Sequence, residues 1–135
     1  MSLKPIFLIV IILICTRCPM DHFYSILIRN NSSDTICPYF AEIEGNPQYP
    51  DTALPSARPS LVKIAPHRVF SYYSREPWEE NIDNLVADTL SIFILDAKVY
   101  QDSSWSVIRE NYLILKRYDL SAYDLESLDW KLTYP

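Results

Sequence analysis

Glycine is almost missing: Gly45 stands alone in 135 residues. A phosphate-cradling loop needs several glycines, so the mononucleotide and dinucleotide motifs are excluded. The turns must instead be made by Asn, Asp, Ser and the ten prolines. Histidine is scarce as well. His22 and His67 have no Cys, His or carboxylate at ligand spacing, so neither a metal site nor a cofactor is expected. Of the three cysteines only Cys37 lies in the body of the chain, and one cysteine makes no internal disulfide. Stability must therefore come from an apolar core, for which a 49% hydrophobic composition is sufficient.

Positive charge is also short. The chain carries 12 basic and 17 acidic residues, a formal charge of -5. Every acidic residue lies beyond position 18, while Lys4 and Arg17 precede it. A chain beginning at Cys18 would hold ten basic residues against 17 acidic, a charge of -7. No Lys/Arg stripe offsets this, so a nucleic-acid partner is not expected.

The longest apolar run, "IFLIVIILI" (6–14), has nine residues, about half of what crossing a bilayer requires. Preceded by Lys4 and followed by polar residues, it fits the apolar region of a signal peptide. The expected division is a lipoprotein-type signal peptide at 1–17, a tether at 18–21 and one domain at 22–135. Cys18 is the first choice for lipidation and Cys15 the second. Arg17 immediately before Cys18 departs from the usual small residue at the cleavage site. The expected localisation is export to the cell envelope, as an outer-membrane lipoprotein moored to the membrane by its amino-terminal lipid.

Beyond the tether, short runs rich in β-branched and aromatic residues alternate with turn signals. Strands are expected at 23–29, 35–43, 61–65, 68–73, 89–100, 113–118 and 130–134, with Pro38 marking an edge or a bulge. Helices are expected from Pro77, from Ser103 or Ser104, and from Ser121, whose partner Asp124 suggests a capping box. Phe93, Leu95, Ala97 and Val99 are assigned one face of a long strand, and Leu125 and Leu128 a shared core contact. The fold class read from this is mainly β: an antiparallel β-sandwich of about seven strands, with two or three short helices in the connections. The Pro-rich stretch 44–60 is read as a long, exposed loop.

The carboxyl-terminal third carries a resemblance. "DTLSIFILDAKVY", "WSVIRENYLILKRYDLSAYDLESLDWKLTYP" and the earlier "YPDTALP" resemble small uncharacterised lipoproteins of Bacteroidetes. In these a Pro-Asp-Thr loop precedes the middle strands, and a run like RYDLSxxDLxxLxW precedes a terminal TYP. The resemblance covers most of residues 22–135. It implies an envelope protein anchored by an amino-terminal Cys, and it brings no catalytic residues with it.

Three Asp-Thr-aliphatic triplets (34–36, 51–53 and 88–90) match the O-glycosylation acceptor of exported Bacteroidetes proteins. Thr52 is the foremost of them, in its Pro-rich loop, followed by Thr35 and Thr89 at strand entries. Tyr72, Tyr73 and Trp78 are rings suited to stacking on sugar faces if exposed, though aromatic packing inside a small domain is the commoner explanation. An enzyme using Cys37 as nucleophile and His67 as base is a third reading, and a buried inert thiol is the commoner state of such a cysteine. The function expected is a non-catalytic structural or interaction role in the envelope, its partner an envelope protein or a glycan. The alternative is a carbohydrate-binding accessory lipoprotein that uses exposed Tyr and Trp.

Overall fold

The structure, a computed structural model, describes residues 21–135. The expected signal peptide, Cys15, Cys18 and most of the expected tether lie outside the described residues. Six strands form among those residues: β1 (Tyr24–Asn30), β2 (Ile36–Phe40), β3 (Val69–Ser74), β4 (Leu90–Asp96), β5 (Lys116–Leu120) and β6 (Lys131–Tyr134). Four short helices accompany them: α1 (Trp78–Asp83), α2 (Ala97–Asp102), α3 (Trp105–Glu110) and α4 (Ala122–Ser127). The class is mixed α/β with substantial sheet, not the seven-strand antiparallel sandwich expected.

The strands make two three-stranded sheets, ordered β3-β1-β6 and β2-β4-β5. All pairings are antiparallel except β1 with β6, which run parallel. The side chains of the two sheets meet in one core: Ile26 and Ile28 from β1 and Leu132 from β6 pack with Ile36 and Phe40 from β2 and with Leu90, Ile92 and Ile94 from β4. Trp78, Ile82 and Leu125 bring α1 and α4 into the same core.

The β2-β4-β5 sheet is covered on its other face too. Cys37, Tyr39, Phe93 and Leu95 meet Ala97 of α2, Trp105 and Ile108 of α3, and Leu54 of the Pro-rich segment. Burial on both faces explains why every residue of "LSIFIL" is buried and all but Ser91 are apolar, where a half-exposed strand would alternate. Inside it Ser91 is fully buried, and its hydroxyl donates to Asp119 Oδ1 at 2.6 Å. Asp119 is in turn gripped by both arms of Arg117.

Three expected strands are shorter or absent, each for a local reason. The run 89–100 ends as a strand at Asp96, whose carboxylate accepts the Val99 N–H at 2.9 Å and caps α2. Ala97 and Val99 still face the same cluster as Phe93 and Leu95, carried there by the helix. "LVKIA" forms no strand; Ile64 alone bridges Ile36, with hydrogen bonds of 2.8 and 3.0 Å. At 113–118 the strand starts only at Lys116, because Leu113 bonds back to Ile108 and closes α3.

Helix entries were legible. Ser121 and Asp124 form the full capping box, and Ser104 caps α3. Pro77 stands at the cap position of α1, one residue earlier than expected. Leu125 is fully buried, but Leu128 is exposed because the helix ends before it.

The glycine shortage has a conformational consequence. His67, Ala87, Asp88, Tyr112, Asp129 and Trp130 all adopt positive φ, the left-handed region that glycine occupies without a Cβ clash. Asp129 and Trp130 do so consecutively, reversing the chain between α4 and β6.

Candidate functional site

The sites expected from sequence do not converge. Thr52 is exposed, one residue after Asp51, whose carboxylate accepts the Ala53 N–H at 2.8 Å in an Asx turn. Thr35 is half-buried at the entrance to β2, its carbonyl accepting from the Ala97 N–H. Thr89 is half-buried, and its hydroxyl donates to the Ala87 carbonyl at 2.7 Å. Of the three, only Thr52 presents itself to a modifying enzyme.

The aromatic trio separates in the same way. Tyr73 is 65% exposed on the outer face of β3, in edge contact with Phe23. Trp78 is 3% exposed inside the core, so it offers no free face to a sugar. Tyr72 is half-buried, stacked on Phe40 at 3.9 Å between centroids and tilted against Trp78 at 5.6 Å. The three rings are not exposed together: consecutive strand residues point to opposite faces and Tyr72 takes the inner one, while Trp78 opens α1 with its ring in the core.

Cys37 is fully buried in β2, while His67 is exposed in the turn before β3. Burial raises the Cys37 thiol above its ordinary range, the reverse of what a nucleophile needs. Among the described residues, no group of three His, Cys, Asp or Glu side chains sits at metal-binding distance.

The structure instead draws attention to the margin where β2 and β3, edge strands of the two sheets, come together. Pro38, Phe40, Phe70 and Tyr72 line an apolar groove of about 200 Å³, walled on its other side by residues 59–62. Beyond it lies a polar hollow lined by Glu42, Glu44, Gln48, Asn81 and Asn84. The Tyr72 hydroxyl joins the two by donating to Glu42. Burial pushes the Glu42 carboxyl upward, and the hydrogen bond from Tyr72 only partly opposes this. Tyr72 itself is raised, first by burial and then by its bond to the carboxylate. Deeper in, the buried Tyr39 hydroxyl has no hydrogen-bond partner among the described residues, with Asn46 close by but outside bonding geometry.

The Pro-rich segment that walls the groove is held in place. Trp105 Nε1 donates to the buried Pro55 carbonyl at 2.9 Å. The Arg58 guanidinium lies over the Tyr100 ring at 4.2 Å and donates to the Tyr100 carbonyl. Tyr100 returns a bond from its hydroxyl to the Pro59 carbonyl. Residues 54–59 thus behave as part of the domain and not as a free loop.

Chemically, the groove offers apolar walls and one half-buried acid at the rim. Glu42 gave no signal in the sequence, since a single Glu after a strand has no spacing to mark it. Searches against protein-family profiles, curated proteins and solved structures match nothing to this chain.

Proposed function

We propose that the protein is exported and lipid-anchored in the cell envelope, where it holds a non-catalytic structural or binding role. The observation that carries this reading is the order of features at the amino terminus: Lys4, nine apolar residues, then Cys18. A chain cut before Cys18 would keep the whole domain, with residues 19–23 between the anchor and β1. The non-catalytic reading is supported by the buried, upward-shifted Cys37, while His67 is exposed.

The test is the mass of the amino-terminal peptide from protein purified out of its native membrane. A diacylglycerol on Cys18 is the expected result. An intact Met1, or a cut elsewhere without lipid, overturns the anchor. Carbohydrate binding remains the second reading, narrowed to Tyr73 and the neighbouring Phe23, both more than half exposed. Quenching or protection of aromatic fluorescence across a glycan panel would support it, and silence across the panel would sink it.

A further inference from the structure

An edge strand shows a row of unpaired N–H and C=O groups, and proteins usually guard it with charge, proline, shortness or a covering segment. Among the described residues the two sheets have four edges, and three are guarded. On β2, Pro38 lacks an N–H and Ile64 occupies both polar groups of Ile36. β5 carries Lys116, Arg117 and Asp119 within five residues. β6 has four residues, includes Lys131, is followed by Pro135, and has its Thr133 carbonyl taken by the Tyr118 hydroxyl.

β3 has no charge, proline or backbone pairing at its edge; residues 59–62 wall the groove beside Phe70 and Tyr72 without a backbone hydrogen bond to the strand. Its six residues, "VFSYYS", contain no charge and no proline. The register with β1, and the bond from Asn30 N–H to the Arg68 carbonyl, turn the backbone groups of Phe70, Tyr72 and Ser74 toward β1. Those of Val69, Ser71 and Tyr73 therefore point outward, and none finds a hydrogen-bond partner among the described residues.

We propose that β3 is a strand-addition surface whose occupant is β3 of a second copy of this chain, paired antiparallel about a twofold axis at Ser71. The geometry selects the register. Only residues with outward backbone groups can exchange hydrogen bonds, and setting Ser71 opposite Ser71 uses all three: Val69 with the second copy's Tyr73, Ser71 with its Ser71, and Tyr73 with its Val69. On the outer face this sets each Tyr73 against a Val69. On the inner face Phe70 meets the second copy's Tyr72. Aromatic with β-branched and aromatic with aromatic are both favourable cross-strand pairs. Charges do not clash, since Arg68 falls opposite Ser74 and Arg75 opposite His67. The product is one six-stranded sheet, β6-β1-β3 joined to its symmetry mate, which removes the unguarded edge from both copies. A heterologous peptide needs none of this self-matching, and the absence of like-charge opposition in the symmetric register favours the second copy.

The test uses the full chain in mild detergent with Ser71→Cys. Directly opposed residues in a hydrogen-bonded antiparallel pair sit about 5.5 Å apart at Cα, within disulfide range. Mild oxidation should convert most of this variant to a dimer of twice 15.8 kDa, linked through the two introduced thiols. Wild type and Thr133→Cys, placed on the guarded β6 edge, should show at least tenfold less. Ser71→Pro is the second variant: it removes an N–H the monomer does not use, so circular dichroism should be unchanged while wild-type self-association is lost. Equal cross-linking in Ser71→Cys and Thr133→Cys would overturn the proposal, as would a wild-type monomer at all concentrations. A disulfide from the introduced thiol to Cys15 or Cys18 of the same chain would also overturn it, assigning the edge to the amino-terminal segment.

Discussion

Asn30 is the perturbation most exposed to refutation. It is fully buried at the end of β1, and its side chain makes four hydrogen bonds across the chain reversal. Nδ2 donates to the Asp34 carbonyl at 2.7 Å and the Ile64 carbonyl at 3.0 Å, and Oδ1 accepts the Ser32 N–H at 2.9 Å and the Ser32 hydroxyl at 2.6 Å. One amide thereby closes the "NNSSD" turn and fastens the 64 position beside β2. Asn30→Ala would leave the buried Ile64 carbonyl unpaired, at a cost of about 1–3 kcal/mol, and remove three partly buried bonds of about 0.5–1.5 kcal/mol each. The expected loss is about 3 kcal/mol, near the low end of that range, because the freed Ser32 groups can turn to water. With a urea slope of about 1.5 kcal/mol/M for a domain of this size, the midpoint should fall by about 2 M. Urea unfolding followed by the fluorescence of buried Trp78 and Trp105 measures this, with Ser33→Ala, an exposed neighbour, as the control expected to shift little. A midpoint shift below about 0.5 M at unchanged slope would refute the reasoning, because water would then be satisfying those carbonyls.

Four further outcomes follow from single contacts. Glu42 is raised above its ordinary value of 4.5 by burial, so its ionisation opposes folding: that penalty is absent below about pH 4.5 and grows as pH rises through the folded-state value. Glu42→Gln should flatten the stability profile above pH 4.5, and an unchanged profile would discount the burial. Trp105→Phe deletes the bond to the Pro55 carbonyl and should cost about 1–2 kcal/mol, with faster proteolytic cleavage in 44–60; an unaltered cleavage rate would show the segment is held otherwise. Asp129→Gly relieves a positive φ and gives up only an exposed ion pair with Lys131, so thermal unfolding should report about 1 kcal/mol of gain; a loss would mean Asp129 does more than turn the chain. Cys37 should resist alkylation in the native protein at pH 8 and react on unfolding, and rapid native labelling read by peptide mass spectrometry would contradict its burial and raised pKa.

What the sequence determined by itself was local. The capping box of Ser121 and Asp124 and the Pro38 edge depend on neighbours a few residues apart, and both formed where expected. The core strands β1, β2 and β4 were legible because burial writes itself into apolar runs. The end of β4 was not, because Asp96 caps α2 through an N–H three residues on, and nothing in a strand-like run marks that exchange. Tertiary structure alone decided that Tyr72 and Trp78 face inward while Tyr73 faces out, since a strand's parity has no sign until a second sheet covers one side. It alone brought Glu42 to Tyr72 across 30 residues of chain. It also made β3 an edge: strand order is set by which long-range pairings bury the most apolar surface, a sum over partners that no single stretch of sequence contains.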